Sequence, residues 1–380
     1  MELTGPAVLE LGAVLLVAAL AGHLARRLGL PAVLGYLAVG LAVSPFTPGY
    51  VAERGQLTFL ADIGVVLLLF EVGIEIDLVR IWRDHGPIVW LAPLQVAVTS
   101  AVSAAILVAL GVTPFGAGFV ALGIAMSSSV VVVNITRSGR RTTTPATERA
   151  LLGWSVVQDV AGIALAALLL AAADAGHRSP AVAAIGTIVF VAAISVTAWL
   201  LPRVVRRLAG DDLVLIVSVG VGLALAGFGG LVAQVPLALA AFAAGLVIAD
   251  GPEATDIRRR LSPFRDVFAV LFFVVLGSLI DPGALARGLG WLALVLGLLA
   301  VAKAAVIGGL ARIGRLAADW RQMAVGLGQV GEFSFVLASA ALGLGLISGE
   351  LYAAVLGSVV ASIAASTVLV RRFGGAAPAQ

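Results

Sequence analysis

Apolar stretches of bilayer length recur along this chain with scarcely a polar interval between them. A run near 20 residues crosses a membrane as a helix, because hydrocarbon offers backbone N–H and C=O groups no partner outside their own helix. Thirteen such spans are read, at about 7–25, 30–46, 56–74, 87–110, 115–136, 147–172, 180–201, 212–229, 233–249, 266–280, 288–311, 322–344 and 349–370. The composition agrees, with 61% hydrophobic and 12% charged residues, where a soluble domain carries roughly 25% charge. The expected fold is an all-α polytopic membrane protein set in a lipid bilayer. The chain has no cysteine, which excludes disulfides and thiolate chemistry. Its start, Met1-Glu2-Leu3-Thr4, lacks a basic region, so the first run is expected to be a retained span rather than a cleaved signal. The net charge of +3 gives no reason to expect nucleic acid as a partner.

The placement of charge tests the span count. Of the 24 basic residues one is a lysine and 23 are arginines. With the N-terminus outside, only Arg54, Arg178 and Arg287 fall in outer connections, and the other 20 lie on the inner side, among them Arg26, Arg27, Arg137, Arg203, Arg258 and Arg371. Basic connections stay cytoplasmic, and one missed or invented span would scramble this alternation. The C-terminus is then cytoplasmic, with 373–380 as a short tail. No soluble regulatory domain is expected.

An internal repeat organises the spans. Leu30-Pro31-Ala32-Val33-Leu34-Gly35-Tyr36-Leu37-Ala38-Val39-Gly40-Leu41 resembles Val235-Pro236-Leu237-Ala238-Leu239-Ala240-Ala241-Phe242-Ala243-Ala244-Gly245-Leu246, at an offset of 205. Gly73 and Asp77 fall on Gly277 and Asp281 at an offset of 204, and Ala121, Gly123 and Ala125 fall on Ala324, Gly326 and Gly328 at 203. Repeat one covers about 7–172, a linker helix about 180–201, and repeat two about 212–370. Spans 1–6 map onto spans 8–13, a shift of seven. An odd shift inverts the second copy in the membrane, an arrangement typical of secondary transporters with a midplane site in broken helices.

The breaks are expected in the equivalent spans 5 and 12, crossing one another. Span 5 contains Ser127-Ser128-Ser129 followed by four valines, and span 12 contains Gly326-Leu327-Gly328-Gln329-Val330-Gly331-Glu332, both poor helix centres. Half-helix ends at such a crossing offer partial charges of both signs. Small residues for close helix packing are the alternative reading.

Few charges sit at depth. Asp159 lies near the middle of span 6, where a carboxylate costs about 2.5–3.5 kcal/mol on insertion scales. Gln158 beside it offers an amide oxygen for a cation and an amide N–H as donor. Lys303, the single lysine, lies well inside span 11, whereas every arginine is in a connection or near a span end. A buried lysine can release its proton and an arginine cannot. Lys303 is therefore read either as a proton carrier or as half of a structural ion pair. Glu332 at the span 12 break either binds the ion or neutralises a helix end. Glu71 near the inner end of span 3 is read as cavity-lining or interfacial, and Glu10 as interfacial. His23, His85 and His177 show no metal spacing. No metal beyond a transported cation and no cofactor are expected.

With these residues in place the chain resembles the membrane domain of the monovalent cation/proton antiporters, in the Kef-like branch of the second large cation/proton antiporter family. The resemblance rests on Gln158-Asp159, Ser127-Ser128-Ser129, Gly328-Gln329-Val330-Gly331-Glu332-Phe333, Lys303 and Leu69-Phe70-Glu71-Val72-Gly73-Ile74-Glu75-Ile76-Asp77, and spans roughly 1–372. It implies a dimerisation domain and a core domain in a homodimer, with the core carrying the two crossed breaks. It also implies that Asp159 binds cation and proton in competition, and that Lys303 pairs with an acidic residue in some members. Gln-Asp, where strongly Na⁺-selective members carry Asp-Asp or Asn-Asp, leans towards the branch often linked to K⁺ and leaves Na⁺ against K⁺ open. The ion-binding set expected is Asp159, Gln158, Ser127, Ser128 and Ser129. Lys303 and Glu332 are expected to compensate charge or couple protons, with Gly328, Gln329 and Gly331 breaking the helix. A potassium channel-like efflux pathway and a sodium-coupled organic anion symporter are the alternatives. An enzyme is not expected, because no histidine lies mid-span and no Gly-x-Ser-x-Gly occurs.

Overall fold

The computed structural model describes residues 5–46, 54–75, 86–137, 141–174, 180–207, 213–233, 237–249, 254–331 and 333–373. Every regular element among them is helical, and each of the thirteen expected spans contains a helix. Among the described residues eight stretches are long and apolar enough to cross a membrane, including Ile88–Ala109, Pro114–Thr136, Pro145–Leu170 and Leu289–Ile313, with shorter apolar helices such as Ala32–Ala42 and Phe333–Gly343. Large apolar side chains, including Leu20, Leu168, Trp199 and Val301, are exposed on these helices, as expected where lipid rather than water is the solvent. The fold is that of an all-α multi-pass membrane protein.

Two spans differ from a plain helix by a π-turn. Span 8 runs Leu213–Phe228 and ends in the π-turn Gly229–Ala233. Span 11 runs through Leu289–Leu298, the π-turn Leu299–Ala304 and Ala305–Ile313. Span 10 differs from expectation in length. Its helix is Ala254–Ser278, taking in arginines that the sequence places in a connection. Arginine is a good helix former, and nothing before Pro263 interrupts the turn.

The chain divides into two compact units. One comprises Met1–Leu16, Tyr50–Arg80 and Leu170–Val275, and the other comprises Val17–Gly49, Ile81–Leu169 and Leu276–Gln380. In the first, a Cβ on Gly73 would lie 2.4 Å from the Phe242 carbonyl oxygen and 2.8 Å from the Gly245 Cα. In the second, a Cβ on Gly277 would lie 2.2 Å from the Leu37 carbonyl oxygen and 3.0 Å from the Gly40 Cα. Gly73 and Gly277 are repeat equivalents, and so are Phe242 with Leu37 and Gly245 with Gly40. The same backbone-on-backbone crossing is therefore made once in each unit, with the repeat partners exchanged. Only glycine permits either approach.

Candidate functional site

Span 5 breaks where its serines stand. Thr113 caps Pro114–Ala125 by accepting from the Gly116 N–H at 3.2 Å, Met126 turns to an extended conformation, and the helix resumes as Ser129–Arg137. Ser128 starts the second half, its Oγ accepting from the Val131 N–H at 3.3 Å, the N-cap role for which serine is favoured. Span 12 breaks between Trp320–Gly326 and Phe333–Gly343. Both halves carry their own start, since Asp319 accepts from the Arg321 and Gln322 N–H groups and the Ser334 N–H donates to the Gly331 carbonyl.

The two breaks cross in contact. A Cβ on Gly331 would lie 2.6 Å from the Ser127 carbonyl carbon and oxygen, so the glycine is required by the approach. The Gly331 N–H donates to the Met126 carbonyl at 3.1 Å, and the Ser127 hydroxyl donates to the Leu327 carbonyl at 2.6 Å. Gln329 clasps the Ser128 backbone at two points, accepting from its N–H at 3.0 Å and donating to its carbonyl at 3.2 Å. From span 13, Ser362 accepts from the Val330 N–H at 3.1 Å. A break leaves backbone groups without intrahelical partners, and here side chains and the facing break supply them.

Lys303 closes the crossing. It is 0% exposed, and its ammonium donates to the Met126 carbonyl at 2.7 Å and to the Gln329 carbonyl at 2.6 Å. Met126 ends the first half of span 5, and Gln329 lies just past the end of the first half of span 12, so one cation sits at two helix C-terminal ends, the negative poles of their dipoles. Asp159 is 1% exposed and follows Gln158, whose side-chain oxygen accepts from the Ser127 N–H of the span 5 break. The site thus joins a buried carboxylate, a buried ammonium and two helix breaks.

A sodium/hydrogen exchanger transmembrane family model matches residues 12–373. The chain belongs to that family. The chain has a fold similar to that of the sodium proton antiporter MjNhaP1 from Methanocaldococcus jannaschii at pH 8, with a TM-score of 0.74 and 18% identity over 97% of this chain and 98% of that one. An electron-microscopy structure of the same antiporter gives a TM-score of 0.69 and 15% identity, over 98% of this chain and 96% of that one. The exchanger family is one of transporters rather than enzymes.

Several expectations meet a more specific arrangement in the structure. The Gln158 oxygen, expected to face a cation, accepts from the Ser127 N–H at 2.9 Å, and its amide nitrogen donates to the Ala125 carbonyl at 2.9 Å and to Gln95 at 2.6 Å. Both ends of Gln158 are thus engaged by the break and its support, because the interrupted helix leaves the Ser127 N–H in need of an acceptor. Gly328 and Gln329 lie between the two helices of span 12, and Ser129 opens the second half of span 5. Glu332 lies outside the described residues. Glu71, read as cavity-lining or interfacial, forms a buried ion pair. It is 2% exposed, paired with Arg265 and with Arg258 at 3.5 Å, and accepts from the Ser262 hydroxyl at 2.9 Å. The early start of the span 10 helix brings these partners to it. Sequence reasoning passed over Gln95 and Thr99 on span 4, both fully buried. A neutral amide in a span carries no formal charge and so escapes a search for ionisable groups, yet burying it unpaired carries a cost of the same kind.

Proposed function

We propose that this chain is a monovalent cation/proton antiporter of the Kef-like branch, exchanging K⁺ or Na⁺ for protons by alternating access around Asp159. The observation that carries this reading is a carboxylate 1% exposed, next in the chain to the glutamine that holds the span 5 break, where the protein's one lysine closes the crossing of two broken helices. Charge at that depth is costly and is retained where it works. Ionised Asp159 takes a partly dehydrated cation, with oxygens drawn from Ser127, Ser128, Ser129 and the carbonyls of the breaks. Protonated Asp159 does not. Either neutralised state can cross the barrier, whereas the bare carboxylate cannot, so exchange is obligatory. Gln158 holds the Ser127 amide and so shapes the site, and Lys303 offsets the negative helix ends.

The same proposal takes 7–172 and 212–370 as inverted repeats, with 180–201 as the linker helix. It places the protein in the plasma membrane as a homodimer, with the N-terminus outside and the C-terminus in the cytoplasm. The test is proton flux in proteoliposomes with Li⁺, Na⁺, K⁺ and Rb⁺ added in turn. Asp159→Asn is expected to abolish cation-driven proton movement, and retained flux in that variant ends the proposal. Because each cation must displace a proton, the half-saturating cation concentration of the wild type is expected to rise as pH falls.

A further inference from the structure

Gln95 and Thr99 sit one turn apart on Ile88–Ala109, the face-sharing spacing of a helix. Gln158 donates to the Gln95 oxygen at 2.6 Å. The Gln95 amide nitrogen donates to the Thr99 hydroxyl at 3.2 Å and to the Ala125 carbonyl at 3.2 Å. The Thr99 hydroxyl donates to the Ala302 carbonyl at 2.8 Å. With the Ser127 N–H donating to Gln158, an unbroken donor-to-acceptor series runs from the span 5 break to the π-turn of span 11, and both amides also donate back to the Ala125 carbonyl.

The direction is imposed at both ends. The Ser127 N–H can only donate and the Ala302 carbonyl can only accept. Turning either amide over would set N–H against N–H or oxygen against oxygen at buried positions, so the orientations of Gln158 and Gln95 follow from the backbone rather than from choice. Trp154, whose indole N–H points at the Gln95 oxygen at 3.4 Å, agrees with the same orientation. The far end is equally specific. A π-turn disturbs the regular i→i−4 ladder, and Thr99 supplies a donor to one of its carbonyls. The residue after Ala302 is Lys303, whose ammonium returns to Met126, the neighbour of Ser127. The series therefore closes a ring: break, Gln158, Gln95, Thr99, π-turn, lysine, break.

We infer that Gln95 and Thr99 are positioning residues of the exchange site, fixing Lys303 and the span 5 break in one register beside Asp159. This rests on the antiporter reading above. Without the ring, Gln158 loses its bond to Gln95, and the residue next to the carboxylate is tied to the span 5 break but no longer to the π-turn that carries Lys303. Ion occupancy at Asp159 then no longer meets a preset arrangement of dipoles.

The test uses the full-length protein in proteoliposomes, with Na⁺ and K⁺ as probes. Thr99→Val keeps the side-chain shape and removes the hydroxyl, Thr99→Ser keeps the hydroxyl, and Gln95→Met removes the amide. Thr99→Val and Gln95→Met are expected to raise the half-saturating cation concentration roughly fivefold or more, as loss of a buried hydrogen bond implies, and to shift the pH of half-maximal exchange. Thr99→Ser is expected to match the wild type in both. If Thr99→Val exchanges with wild-type affinity and pH profile, the inference falls, whatever its thermal stability. If Thr99→Ser is as impaired as Thr99→Val, the hydroxyl is not the cause and the inference falls. Should Thr99→Val fail to reach the membrane, Gln95→Met decides, and failure of both to fold assigns the ring to folding alone and overturns the proposal. A wild type without cation-driven proton exchange removes the antiporter reading and this inference with it, whereas wild-type exchange with unaltered variants removes this inference only.

Discussion

Glu71 and Lys303 are both shut away from water, at 2% and 0% exposure, one in each compact unit, and their charges are offset by different means. Glu71 faces the guanidinium groups of Arg258 and Arg265, which are themselves 40% and 28% exposed. Lys303 donates to two carbonyl oxygens at the ends of half-helices. A carboxylate bound by arginine is held by full charges that never lose their protons. An ammonium held by dipoles faces partial charges that also act on any ion nearby. The first arrangement pins a structure. The second leaves the local charge balance open to change when Asp159 takes up or releases an ion, and this is the balance an exchanger has to alter at each cycle.

Three substitutions probe that contrast. The largest effect is expected for Lys303→Met, which leaves the Met126 and Gln329 carbonyls buried without this donor. The Met126 carbonyl keeps the Gly331 N–H, so the loss is set by the Gln329 carbonyl, at about 1–3 kcal/mol, to be measured by thermal unfolding in detergent, with exchange lost. An intermediate effect is expected for Lys303→Gln, which keeps an N–H donor. Its exchange is expected to be slower at an unchanged proton:cation ratio by electrometric and pH readouts together, and a changed ratio would make Lys303 a proton carrier. The smallest effect is expected for Glu71→Ala. The two arginines it leaves behind can reach water, so the cost is about 1–2 kcal/mol, exchange persists, and the stability gap to the wild type narrows as salt is raised. A Glu71 variant that lost exchange while remaining folded would erase the distinction between the two charges.

Much of this arrangement was legible in the residues. The span lengths, the odd repeat shift and the Ser-rich and Gly-rich interruptions pointed to crossed breaks, because a helix centre of three serines and four valines, or of three glycines in six residues, is weak in any context. Lys303 and Asp159 stood out because charge at depth is rare. What could not be read was which atoms each group would meet. Gln158 looked like a cation ligand from its neighbour in sequence, but its partners come from spans 4 and 5, and that pairing depends on packing. Glu71 is read from its place near the inner end of span 3, and its partners Arg258, Ser262 and Arg265 come from the helix of span 10, a pairing that also depends on packing. Gln95 and Thr99 went unnoticed because a lone amide and a lone hydroxyl in apolar sequence carry no pattern until their neighbours are known.

The π-turn of span 11 is a helix carrying one residue more than its turn requires. Excising the exposed Val301 would return the segment to regular winding and swing the two flanking stretches by about 100° relative to one another, the angle one residue occupies in an α-helix. The ammonium would then leave the carbonyls that hold it. The direction in which the protein's one lysine points is thus set by a count of residues as much as by their kind, and deletion at this place is a harsher change than any single replacement there.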